Sequence, residues 1–221
     1  MKKSQKRITQ GDYIREGVNF ETYIRENDII LRSDEYIIVH LDGVKFTSKY
    51  YKMFSKEDKK KIIESLAKVA KKLCEKYSSA RLAYVYGDEI SIILDGVEVQ
   101  ANYHNRVQKL CSCFASQTST YFQQELSKIN STIFEELIQN GIFACKTYNL
   151  PKGLVDSYMK WRLNGCKKMI FDRHEEFENK EDWEKYGILL TKEDIWSMSS
   201  IDFSSRKFQK KPQNEFFNLS N

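Results

Sequence analysis

Three acidic side chains and the glycines beside them hold the residue types that could do chemistry in this chain. Asp42-Gly43 closes the apolar run Tyr36-Ile37-Ile38-Val39-His40-Leu41, and Gly87-Asp88-Glu89 stands between two β-type runs, Leu82 to Tyr86 and Ile90 to Leu94. A two-residue Gly-Asp connection is a hairpin turn, which puts Asp88 at a hairpin tip. Asp42 falls where a buried strand runs out and a glycine lets the backbone turn. Either dipeptide alone is an ordinary turn. If the two strands are neighbours in one sheet, however, Asp42 and Asp88 converge, and paired carboxylates beside phosphate chemistry imply Mg²⁺. Glu89 is the weaker candidate, because successive strand residues face opposite ways.

The elements that must position these acids follow from periodicity. Strand one spans Tyr36 to Leu41. Ser55-Lys56-Glu57-Asp58 has the form of a helix start, and Ile62, Leu66, Val69, Leu73 and Tyr77 then make an apolar stripe at helical spacing that should lie on the sheet. After the hairpin, Asp95-Gly96 turns the chain into a second long helix from about Val99 to Lys128, with Leu110, Phe114, Tyr121 and Val107 as its buried stripe. Arg106 and Lys109, three apart, share one face of it. Ile142 to Tyr148 reads as a fourth strand, and Asn149-Leu150-Pro151 starts a third helix running through Arg162. The fold class is α+β: a ferredoxin-like β-α-β-β-α-β unit, with helices on one face of an antiparallel sheet. A strand ending in Asp, a helix, and then a hairpin tipped by Asp-Glu is also the order of elements in a palm-type nucleotide polymerase.

Four stretches are expected along the chain: an arm and lead-in at 1–35, a palm-type catalytic domain at 36–165, a helical extension at 166–203 and a mobile basic tail at 204–221. In the extension, Glu175 to Glu184 is expected to be helical around Phe177 and Trp183, and Thr191-Lys192-Glu193-Asp194 repeats the capping-box form. At 221 residues the chain can bury about 70% of its unfolded surface without staples. Its five cysteines lack any Cys-x-x-Cys pairing, which fits buried thiols in a reducing compartment. No signal peptide or membrane span is legible, so a cytoplasmic protein is expected. A net charge of +5 permits a polyanionic partner, and the basic ends, Lys2 to Arg7 and Arg206 to Lys211, are candidates to add RNA affinity.

With these residues in place, the chain resembles the tRNA-histidine guanylyltransferase family, the 3′-to-5′ polymerases that add nucleotides to tRNA 5′ ends. Leu41-Asp42-Gly43-Val44-Lys45-Phe46, Gly87-Asp88-Glu89-Ile90-Ser91, Lys109 with Phe114-Ala115-Ser116-Gln117, and Tyr158-Met159-Lys160-Trp161-Arg162 with Cys166 carry the resemblance. It implies a metal-dependent nucleotidyltransferase with GTP and ATP as substrates. Two Mg²⁺ ions would be held by Asp42, the Gly43 carbonyl and Asp88, with Asp42, Asp88 and Glu89 as the catalytic acids. It further implies nucleotide or triphosphate contacts from Gly43, Lys45, Phe46, Lys56, Gly87, Arg106 and Lys109, a tRNA or other RNA 5′ end as partner, and a homotetramer.

The chain also departs from the family pattern. Val85-Tyr86-Gly87 stands where a Gly-Gln-Ser is usual, Lys167 to Arg173 replaces a His-x-x-Asn-Leu-Tyr-Asn stretch, and Ala144 replaces an aspartate in the fourth strand. These losses point to a divergent relative, such as a tRNA 5′-end repair polymerase. Two other classes remain open at this level. Tyr86-Gly87-Asp88-Glu89-Ile90 is close to the hairpin of palm-domain cyclic-dinucleotide synthases, and a non-catalytic RNA-binding homologue could keep the palm alone.

Overall fold

The computed structural model describes residues 29–50, 52–129, 131–172, 180–191, 197–202 and 209–212. The basic arm at 2–7, Phe177 and the residues after Thr191 in the second capping-box motif lie outside the described residues. Four strands form the centre of the sheet: β1 (Tyr36–Gly43), β2 (Ala80–Tyr86), β3 (Glu89–Asp95) and β4 (Phe143–Leu150). Three more follow, β5 (Ile188–Thr191), β6 (Ser197–Asp202) and β7 (Gln209–Pro212). The seven make one sheet in the order β4-β1-β3-β2-β5-β6-β7, every pair antiparallel. The first four strands with their two long helices are the expected ferredoxin-like unit. The extension is helical in part, through Asp172 and again at Asp182–Tyr186, and it also adds two strands, β5 and β6, on the β2 edge. Part of the basic tail, Gln209–Pro212, is likewise ordered as β7.

Helix α1 (Lys56–Lys76) starts as its sequence requires. Ser55 is the N-cap and its hydroxyl accepts from the Asp58 amide. Ile62, Leu66, Val69 and Leu73 are buried, as the stripe predicts. The second helix is two helices, α2 (Gly96–Tyr103) and α3 (Val107–Ser127), and not one. His104 and Asn105 between them take φ of 51° and 53°, a region that Asn and His tolerate better than most residues. The lead-in chain uses the backbone groups that a continuous helix would need: Leu31 N donates to the Asn105 carbonyl at 2.8 Å, and Val107 N donates to Ile29 at 3.0 Å. The buried stripe of α3 is Leu110, Phe114, Thr118, Phe122 and Leu126, while Tyr121 and Val107 are only partly buried. A short helix α4 (Glu135–Asn140) leads into β4. Asn149 and Leu150 belong to that strand, since Asn149 pairs with Ile37 and its side-chain amide bonds both N and O of Arg32 at 2.9 Å. The third helix, α5, therefore begins only at Val155 and runs to Asp172.

Helices do not keep to one face. On one side of the sheet α1 and α3 cover Ile37, Val39, Leu41, Ile90, Ile92 and Leu94. On the other, Tyr158, Met159 and Leu163 of α5 pack on Ile38, Tyr84, Ile93 and Leu189. This second layer explains the β1 sequence. Ile37, Ile38 and Val39 are all buried because both faces are covered there, whereas His40, Leu41 and Asp42 revert to alternation, with Leu41 inside and Asp42 exposed. The polar end of β1 marks where the α5 cover stops and the face opens.

Candidate active site

The antiparallel register sets the acids side by side. Asp42 of β1 is the partner of Glu89 on β3 and of Ala144 on β4, while His40 is the partner of Ser91 and Lys146. Directly opposed residues share a face and stand about 5 Å apart at Cβ, so Asp42 and Glu89 look out together from the open face. Asp88 occupies the turn. Gly87 takes φ +58°, and among the two central residues only it has a positive φ, the pattern of a type II′ hairpin. Gly43 N donates to the Asp88 carbonyl at 3.1 Å, which draws the end of β1 against the hairpin tip. Asp42, Gly43, Asp88 and Glu89 thus form one corner. Glu89 is better placed than the sequence suggested, because the strand alternation starts after the turn and gives it the face of Asp42.

Around the corner stand groups that sequence reasoning left without a role. Arg162, in the middle of α5 and 12% exposed, forms an ion pair with Glu89. Burial works against its charge, but Glu89 outweighs that and raises its pKa. His40 Nδ1 lies 3.2 Å from the Ser91 hydroxyl, and burial, then Arg162, hold its pKa down. Asp42 is shifted the other way, above the ordinary carboxylate value: partial burial raises it, then the Glu89 carboxylate, against His40, Lys146 and Arg162. A carboxylate disfavoured in its charged form beside a second carboxylate is a place where a cation is welcome. Among the described residues no three His, Cys, Asp or Glu side chains close into a cage. Mg²⁺ does not require one, since it is commonly held by one or two carboxylates plus substrate phosphates. The corner fits that kind of site.

Other expected contacts fall elsewhere. Phe46 is 1% exposed and packs with Tyr50, Phe122 and Phe143 at ring separations of 5.4 to 5.6 Å, so it is core and presents no face to a base. It also explains Gly43 in part, because a Cβ there would lie 2.5 Å from the Phe46 ring. Lys45 is exposed next to Gly43, at φ 64°. Lys56 heads α1, but its ammonium pairs with Glu181 at 3.2 Å and Glu184 at 3.0 Å, at the start of the short helix α6 (Asp182–Tyr186). Arg106 and Lys109 do not join the corner. They lie at the start of α3, tied through Asn105 and Leu31 to the end of the sheet where β1 begins, six strand residues or about 20 Å from Asp42. Lys109 donates to the Asn102 carbonyl there and lies over the Tyr103 ring. The expected continuous helix put the two cations on one of its faces; the break at His104-Asn105 puts them instead at the start of α3, with Arg106 as its N-cap, and spacing carried no information about which end of the sheet that was.

The model of the Thg1 family, tRNAHis guanylyltransferase, matches residues 18–151, more than half of the chain and including the whole acid corner. The chain belongs to that family. Its members are nucleotidyltransferases, and this chain is one of them. The fold agrees. A bacterial tRNA(His) guanylyltransferase (Thg1)-like protein in complex with ATP superposes with a TM-score of 0.63 at 22% identity, over 81% of this chain and 89% of that one. The GTP complex of such a bacterial protein gives 0.64 at 21%, over 87% and 88%. The Saccharomyces cerevisiae tRNA(His) guanylyltransferase gives 0.60 at 19%, over 88% and 96%. No curated protein sequence matches the chain. Among the described residues no helix is long and apolar enough to cross a membrane.

Proposed function

We propose that this family member extends the 5′ end of a tRNA or tRNA-like RNA, with GTP or ATP as nucleotide substrate and Asp42, the Gly43 carbonyl and Asp88 as the groups that would hold Mg²⁺. The observation that supports it most is the Asp42–Glu89 register beside the Asp88 turn, within a family of nucleotidyltransferases. Bound metal would supply charge neutralisation for a triphosphate and a lowered pKa for the attacking hydroxyl. The chain's own residues have separate tasks. Asp42 brings negative charge to the open end of the sheet, Asp88 would add its own from the enclosed turn, the missing Cβ of Gly43 admits the Phe46 ring beneath the corner, and Arg162 fixes Glu89. In the reaction, the 3′-hydroxyl of the incoming nucleotide attacks the 5′ α-phosphorus of the acceptor RNA. A P–O bond forms, the hydroxyl proton leaves, and pyrophosphate departs from a 5′-triphosphate, or AMP from an adenylylated end.

Lys56 sits on the hairpin side of the fold, and its contact with a triphosphate would require exchange of Glu181 and Glu184 for phosphate oxygens. Arg106 and Lys109 would act at a distance from the acids, on a second phosphate or on the RNA backbone. The departures at Val85-Tyr86 and at Ala144, the partner of Asp42, leave the corner with fewer polar groups than the family pattern has. Activation of a 5′-monophosphate is the step expected to suffer. 5′-Truncated tRNA carrying a 5′-triphosphate should accept labelled GTP faster than the same RNA with a 5′-monophosphate. Incorporation at 3′ ends only, or cyclic dinucleotide formation without RNA extension, would refute this reading.

A further inference from the structure

The indole of Trp161 is 62% exposed, on α5, the helix at whose margin the face opens. Large aromatic rings are seldom left so exposed, and this one is supported from behind. Tyr158 lies 5.9 Å away at a tilt of 40°, and Tyr158 is itself braced by Tyr148 of β4, hydroxyl to hydroxyl at 3.5 Å. The guanidinium carbon of Arg162 is 5.4 Å from the Trp161 ring centre. The same guanidinium pairs with Glu89, the partner of Asp42. A chain of contacts thus joins the exposed ring to the acid corner, and it places the ring roughly 10 to 15 Å from Asp42, the reach of one or two nucleotides. Lys146 and Lys160 are exposed in the same region.

We infer that Trp161 is a stacking platform for the nucleobase at the 5′ end of the acceptor RNA, a proposal that rests on the function given above. A braced aromatic ring beside exposed cations has the chemistry of single-stranded nucleic-acid sites, where rings take bases and cations take phosphates. The acids at the corner repel the terminal phosphate until metal neutralises it, so the acceptor gains from an anchor on its base that does not depend on charge. Stacking on Trp161 supplies one. Acceptor RNA is favoured over a second protein as occupant because Lys160, adjacent in sequence to Trp161, is exposed, Lys146 acts on Asp42, and the ring is joined through Arg162 and Glu89 to the reacting end.

The test is direct binding, without turnover, of 5′-truncated tRNA and of the same tRNA with an abasic 5′-terminal nucleotide. The proteins compared are wild type, Trp161→Ala and Trp161→Phe. Trp161→Ala should weaken binding of the intact RNA about 5- to 100-fold, and Trp161→Phe should keep most of the affinity. The abasic RNA should bind all three proteins alike, and the salt slope should not change, because no phosphate contact is removed. Equal affinity of wild type and Trp161→Ala for intact RNA would overturn the proposal. So would a loss confined to GTP binding, or a change in sedimentation that made the ring a contact between copies. If the binding pattern holds but wild type transfers no nucleotide, the site stands and the proposed reaction falls. If wild type extends RNA and Trp161→Ala binds it normally, the reverse is true.

Discussion

Removing Arg162 should expose how strongly the corner depends on the cation paired with Glu89. The guanidinium is 12% exposed and the Glu89 carboxylate 28%, so the pair lies between a surface bridge, worth about 0 to 1 kcal/mol, and a buried one, whose rupture costs about 3 to 5 kcal/mol. Arg162→Met keeps the length of the side chain and its packing beside Leu163, yet leaves Glu89 facing Asp42 with its partner gone. We expect a loss of about 2 kcal/mol in urea unfolding. Glu89→Gln should cost less, and the double variant should recover part of the Arg162→Met loss, because the uncompensated carboxylate is then absent. The coupling energy from the four proteins should be about 1 to 2 kcal/mol. A coupling below about 0.3 kcal/mol would refute the view that Arg162 holds Glu89 in place.

Three further outcomes follow from other contacts. Asp42→Asn should lower nucleotidyl transfer by about 10³-fold or more while leaving metal-free stability unchanged or raised, because burial and Glu89 already disfavour the charged form; kinetics and unfolding on one preparation check both. Glu125, 4% exposed, pairs with Lys128 at 2.8 Å and with Lys72; burial raises its pKa, but those hydrogen bonds outweigh it and the net shift is below the ordinary 4.5. Its folded pKa being depressed, its stabilisation is present above pH 4.5 and is lost as pH falls through the lower folded value, so Glu125→Gln should cost about 1 to 3 kcal/mol at pH 7 and nothing in strong acid; a pH-independent difference would contradict this. Lys56→Ala should raise KM for a triphosphate-bearing substrate with little change in stability, since Lys56 is itself 53% exposed and its partners 36% and 15%; an unchanged KM would leave Lys56 only its ion pairs with Glu181 and Glu184.

Much of the central fold was legible because its signals are local. Ser55 capped its helix, the Ile62 to Leu73 stripe was buried, and Gly87-Asp88 made the turn. Long-range facts were not legible in the same way. The break at His104-Asn105 depends on hydrogen bonds from the Leu31 amide and to the Ile29 carbonyl, neither of which can be seen in the local pattern. The expected helical extension ends in strands because β2 offers an unpaired edge to Ile188–Thr191, a tertiary opportunity that propensity does not register. Phe46 sat in a motif beside Asp42 and Gly43, but its side chain turns to the helix side of the sheet. The uninterrupted Ile37-Ile38-Val39 run is the local trace of cover on both faces, against the expectation of helices on one, but it identifies neither α5 nor Arg162 as what supplies it.

If Asp42, Asp88 and Glu89 together carry transfer to an RNA 5′ end, loss of the Asp88 charge must abolish it. The most direct measurement follows labelled GTP with 5′-triphosphorylated, 5′-truncated tRNA and Mg²⁺, and maps the label by digestion from each end, for wild type and Asp88→Asn. Wild type should give 5′-terminal label and Asp88→Asn none, with the folding of the variant unchanged. Wild-type labelling by Asp88→Asn, or label found only at 3′ ends, would contradict this.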